Sequence, residues 1–191
     1  MIESLEQFDF CAVRKRGGKS RASARFPTKF EATQNQIAIQ ALLADWKETR
    51  SITLAFLNEL SDADLDKILP RKKLNTIRLH MYELTLGQQG YVTALTTKAV
   101  VFGDEYNNYL SLPTETLIAT MTKLDAELER ALELLNGSES VEFFGEQINV
   151  HQMLSMMNGH EQMHIGQIIA FCYATGIEIP HSISEQMNLE G

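Results

Sequence analysis

From Thr33 onward, apolar side chains recur at steps of three and four. Ile39, Leu42, Leu43, Trp46, Thr53, Phe56, Leu57 and Leu60 form one stripe over about seven turns and predict a long first helix. Ser61-Asp62-Ala63-Asp64 closes it with turn chemistry that can open a short helical turn before Pro70. A second helix is predicted from the N-cap Asn75 through Ile77, His80, Met81, Leu84 and Tyr91 to about Leu95. Gly87 and Gly90 weaken its second half, each by up to about 1 kcal/mol relative to Ala. Residues 98–112 read as a long connection. The third helix starts at Thr114, buries Leu117, Met121, Leu124, Leu128, Ala131 and Leu135, and stops at Asn136-Gly137. Residues 139–148 lose the helical period and read as a short extended or hairpin-like piece. Asn149 caps a fourth helix with an inward stripe of Met153, Met157, His160, His164, Ile168 and Phe171, ending at Gly176 with Pro180 beyond.

Four amphipathic helices without repeats or strand–helix alternation predict an all-α four-helix bundle over residues 34–180. Residues 1–33 form an N-terminal basic extension and residues 181–191 a C-terminal tail. A chain of 191 residues builds a core without disulfides or a structural metal, so any metal is free to be functional. The net charge of −8 is uneven: residues 11–30 hold seven of the seventeen Lys and Arg and no acid, and a strongly acidic body remains. A polyanion meets a repelling field on such a body, which argues against nucleic acid as the partner despite the basic segment. The longest apolar run, Ile168 to Ala174, is far too short to cross a bilayer. With no secretory pattern at the N-terminus and two distant cysteines, Cys11 and Cys172, a reducing cytoplasm is the expected compartment.

The candidate chemistry lies in the histidines. At about 100° per residue, His160 and His164 stand about 40° apart on one helix face and offer a two-ligand bite. His151 points about 180° away from His160 and is not expected to ligate; His181 lies in the tail. His80, on the inward stripe of the second helix, is the third candidate. Three imidazoles from two helices leave a position open for water, the ligand count of a catalytic rather than a structural site, and suit zinc, nickel, copper or ferrous iron.

His160-Glu161-Gln162-Met163-His164 also spells the His-Glu-x-x-His of zinc peptidases, but the glycine and third histidine of the metzincin pattern are missing: Gln167 and Ala170 stand there. A single Glu-x-x-His is likewise half of what a di-iron carboxylate bundle requires. Glu83, one turn after His80, and Glu161 are the candidate catalytic carboxylates, as bases beside an ion or as partners orienting an imidazole. Cys172 and Cys11, with no adjacent base, read as small buried hydrophobes.

The order Leu79-His80-Met81-Tyr82-Glu83, then Phe143-Phe144-Gly145, then His160-Glu161-Gln162-Met163-His164-Ile165-Gly166-Gln167-Ile168 running to Gly176 and Pro180, resembles the DinB-like, or YfiT-like, four-helix-bundle superfamily. The resemblance covers about residues 34–180. It implies that His80, His160 and His164 bind a divalent cation such as nickel or zinc, with water completing the shell. It also implies a homodimer packed through bundle helices, and thiol S-transfer or metal-dependent hydrolysis of a small-molecule substrate. A metal-binding or stress-related bundle without turnover is the alternative. The basic segment before residue 34 departs from the family pattern.

Overall fold

In the computed structural model the described residues are 29–68, 75–102, 112–135 and 137–189. The elements run α1 (Lys29–Glu59), α2 (Asp62–Leu65), α3 (Ile77–Thr97), α4 (Thr114–Glu133), β1 (Ser140–Phe143), β2 (Glu146–Asn149), α5 (Val150–Thr175) and α6 (His181–Met187). The four long helices form the bundle that the hydrophobic periods predict. Residues 1–28 of the basic segment lie outside the described residues.

Boundaries differ from expectation where local chemistry rather than period decides them. Nothing between Lys29 and Thr33 breaks a helix, and α1 takes in these residues, which were expected in the extension. The N-cap of α3 is Thr76, whose hydroxyl accepts from the Leu79 amide, one residue after the expected Asn75. Thr114 opens α4 without capping it; its hydroxyl donates instead to Asp62. At α5 the expected cap forms a complete box: the Asn149 side chain accepts from the Gln152 amide while the Gln152 side chain accepts from the Asn149 amide. Gly176 ends α5 with φ 66°, a left-handed conformation that glycine adopts without a Cβ penalty. Residues 181–187, expected as tail, form α6, and Ile183 is fully buried against the bundle.

The extended piece is a hairpin. β1 and β2 pair antiparallel from Ser140↔Asn149 to Phe143↔Glu146, and the two-residue turn Phe144-Gly145 has both φ angles positive, at 49° and 83°. That conformation matches the twist of the flanking strands.

The apolar interior falls into two clusters. One gathers Phe56, Leu57, Ile77, Met81, Leu117, Ile168 and Ile183; the other gathers Ile39, Trp46, Leu95, Leu132, Val141 and Met153. Order along the chain gives helix direction: α1 and α5 run from the second cluster to the first, and α3 and α4 run from the first to the second. The bundle is therefore up-down-down-up. Between the clusters lies a belt of buried polar groups: Thr49, Arg50 and Thr53 on α1, Thr85 and Gln88 on α3, and Asn158, Glu161 and His164 on α5.

Candidate metal centre

The histidine-bearing helices meet where α3 is slimmest. A Cβ placed on Gly87 would lie 3.3 Å from Cε1 of His160, so the glycine's bare backbone leaves room for that ring between α3 and α5. His80, the fourth residue of α3, projects toward α5. His80 Nδ1 stands 2.9 Å from His164 Nδ1, and His164 Nε2 stands 3.2 Å from His160 Nε2. The ring centroids are 5.1 and 4.6 Å apart, both pairs edge to face. The sequence-derived trio is thus brought together, with His164 in the middle.

Glu83 borders this cluster. One of its carboxylate oxygens lies 4.0 Å from His80 Nδ1, and the side chain is 31% exposed, so it marks the solvent edge of an otherwise buried group. The donor atoms of His80, Glu83 and His164 all lie within 4.8 Å of one another. His160 approaches from the opposite nitrogen of His164. His151 and His181 are not drawn in; His181 is exposed and faces Glu185 at 3.4 Å.

Burial sets the protonation. It pushes His80 down to about 4 and, helped by the two neighbouring imidazoles, His164 down to about 3; His160 is lowered by the same cause. Neutral imidazoles with available lone pairs are what a borderline divalent ion takes as ligands. Glu83 moves the other way, pushed up to about 7 because its carboxylate loses hydration.

The donor set fits an ion better than it fits itself. Each neutral imidazole has one N–H and one lone pair, so a chain of three rings can be joined by two hydrogen bonds running in either direction. In both cases His80 Nε2 remains buried with no partner. Two nitrogens at about 2.0–2.1 Å from a tetrahedral zinc ion are about 3.3 Å apart. The observed 2.9 and 3.2 Å both lie just under that spacing, but they reach His164 on opposite nitrogens; Nδ1 of His80 and Nδ1 of His164 face one point beside Glu83, and the His160 ring joins them at one ion only if a ring turns.

Glu161 takes a different place. It is 1% exposed and turned toward α1, where its carboxyl accepts from Thr53 Oγ1 at 2.5 Å and pairs with Arg50 Nη2 at 3.0 Å. Burial, opposed by Arg50 and Thr53, pushes it up to about 7. Arg50 also donates to Gln88 Oε1 at 2.8 Å, and Gln88 in turn donates to Asp125 Oδ1 at 2.6 Å. Arg50 Nε lies 3.4 Å from that Asp125 oxygen, and the guanidinium stacks 4.6 Å from the Trp46 ring. The network draws one charged or amide side chain from each long helix. Sequence reading missed Arg50, Gln88 and Asp125. Two signals were present: the apolar stripe of α1 breaks between Trp46 and Thr53, and Glu161 is the only Asp, Glu, Lys or Arg in the 26 residues of α5.

Cys172 is buried with its thiol pushed up to about 11 by burial, as befits a core residue rather than a nucleophile. Among the described residues no helix is long and apolar enough to cross a membrane. A search among curated proteins returns no match. The DinB superfamily model matches residues 45–168, from mid-α1 through the histidines of α3 and α5, and by that match over more than half its length the chain belongs to the DinB superfamily.

Proposed function

We propose that this protein holds one divalent ion, nickel or zinc, through His80, His160 and His164, and uses it in thiol S-transfer or hydrolysis of a small-molecule substrate. The observation that carries the reading is the clustering of three neutral imidazoles from two helices, with Nδ1 of His80 and Nδ1 of His164 2.9 Å apart beside Glu83 and the His160 ring against the other nitrogen of His164. An ion with an exchangeable position supplies an acidified water or a bound thiolate as nucleophile. The chain's own part is to keep the imidazoles unprotonated, exclude bulk water on the bundle side, and move a proton at Glu83. Held at about 7, the Glu83 carboxyl is matched to accepting and returning a proton near neutral pH. Its half-exposed position suits contact with an arriving substrate.

Glu161 serves this reading less well as a base, because Thr53 and Arg50 occupy its carboxyl on the side of α5 that faces α1. A homodimer is supported by the outward face of α5, where Ser155, Met156, Gly159, Gly166 and Tyr173 are exposed without a formal charge among them. The second reading, an ion-carrying bundle without turnover, uses the same three ligands.

Metal analysis of protein purified without a histidine tag tests the site. About one ion per chain is expected, lost in His160→Ala and His164→Ala and kept in His151→Ala. Loss in Glu83→Gln with retention in His160→Ala would make Glu83 the third ligand instead. Cobalt-substituted protein then separates enzyme from carrier: a visible spectrum indifferent to added thiol and azide favours the carrier.

A further inference from the structure

Arg50 lies 3% exposed on α1, a helix that contributes none of the candidate ligands, yet it joins the two helices that do. On one side its Nη2 donates to Gln88, the residue after Gly87 on α3; on the other the same nitrogen pairs with Glu161, the residue after His160 on α5. Thr53, one turn further along α1, adds a hydrogen bond to the second oxygen of Glu161. We infer that Arg50 and Glu161 are positioning residues, which set the roll and height of α3 and α5 and thereby the spacing of His80, His160 and His164. This inference rests on the metal-site reading proposed above.

The geometry demands such a device. Glu161 sits about 100° around α5 from His160 and about 60° from His164, so a grip on its carboxyl fixes the direction in which both imidazoles leave the helix. An imidazole nitrogen stands about 6 Å from its helix axis, so a roll of about 20° displaces it by about 2 Å, one metal–nitrogen bond length. Apolar packing holds the helices together but is non-directional, and it does not by itself select one roll angle. The hydrogen bonds from Arg50 to Gln88 and from Thr53 to Glu161 are directional, and the ion pair between Arg50 and Glu161 ties the two together.

Stability alone is a poor account of these charges. Burying a paired Arg and Glu seldom outperforms well-packed apolar side chains of the same volume, and Arg50 Nε and Nη1 and Glu161 Oε2 are left buried without a hydrogen bond. What the pair adds over leucine or methionine is direction.

The test compares the full-length wild type with an apolar-belt variant, Arg50→Met/Glu161→Leu, titrating metal-free protein with Co2+ and following both affinity and the visible ligand-field spectrum. Expected is a variant that folds with an unfolding midpoint at or above wild type, binds Co2+ about 10–100-fold more weakly and shows an altered spectrum. A merely structural belt would change the midpoint and leave the spectrum and affinity alone. Thr53→Val, which removes one bond from Glu161 and changes volume little, is the second variant should the first not fold; a several-fold weaker Co2+ affinity is expected, and Glu161→Gln, which still accepts from Thr53, should retain more of it than Glu161→Leu. Wild-type affinity and spectrum in the folded apolar-belt variant, or in Thr53→Val, overturn the inference alone. A wild type that takes up no Co2+ overturns the metal reading and this inference with it.

Discussion

Two buried polar groups lie side by side at mid-bundle, and they are built on opposite rules. In the belt, unlike charges face one another: Arg50 is answered by Glu161 and Asp125, with Gln88, Thr53 and Trp46 filling in around them. In the candidate metal centre, like groups face one another: three imidazoles that burial keeps neutral, with a carboxyl that burial pushes up to about 7. Pairing spends a side chain's chemistry on its partner. Imidazoles that meet only one another, with His80 Nε2 left over, keep more of that chemistry for a ligand. The difference explains why two glutamates, both pushed up by burial to about 7, have unlike prospects: Glu161 is held between a hydroxyl and a guanidinium, whereas Glu83 lies at the solvent edge of the imidazoles.

The contrast is broken most forcefully at Arg50. Arg50→Ala strands Glu161 and leaves Asp125 without its buried cation, and is expected to cost about 3–5 kcal/mol in urea unfolding. His164→Ala strands no charge and should cost clearly less; equal losses would mean that the two regions are not built differently. Gly87→Ala comes next. Its new methyl meets the His160 ring at 3.3 Å, and crowding of that order is expected to cost about 1–3 kcal/mol and to displace His160 from His164. Unfolding midpoints with metal titration check both halves of that expectation.

A smaller effect lies in the pH dependence of metal-free protein. His80 and His164 fold with values below their usual 6.5, so the unfolded chain takes up protons first and these groups lose stability as pH falls below about 6.5. Glu83 and Glu161 fold with values above their usual 4.5, so the folded chain holds the proton first and they lose stability as pH rises from 4.5 toward 7. Between about pH 4.5 and 6.5 the two sets oppose one another. Glu161→Gln deletes one opposing group, and stability should then fall more steeply on acidification, by up to about 1.4 kcal/mol per pH unit. An unchanged slope would show that Glu161 is ionised throughout. The smallest expectation is the control: His151→Ala, outside both regions, should change neither stability by more than about 0.5 kcal/mol nor metal content.

The bundle was legible because its signals are redundant. The α4 stripe shows this: Leu117, Met121, Leu124 and Leu128 are buried as the period requires, and only the last turn shifts, with Leu132 buried in place of Ala131 and Leu135. The caps at Asn149 and Gly176 were readable because each performs one local hydrogen-bonding or dihedral task. α6 was not readable: a helix of seven residues has too few turns to show a period, and its burial of Ile183 depends on a surface built by distant residues. In the candidate metal centre, His160 and His164 are legible from spacing within one helix. The meeting with His80 across α3 follows from helix order and from the missing Cβ at Gly87, which no single-helix pattern contains. Arg50 was hardest to see, because an arginine interrupting an apolar stripe ordinarily lies on solvent, and its partners come from three other helices.

The split interior carries a consequence for how the molecule breathes. Two oil-like compartments joined through a hydrogen-bonded waist need not open together. Amide protons along α5 would then exchange in two blocks, one spanning the turns that pack on the hairpin and the other the turns that pack on α6, with a step at Glu161 rather than a gradual slope.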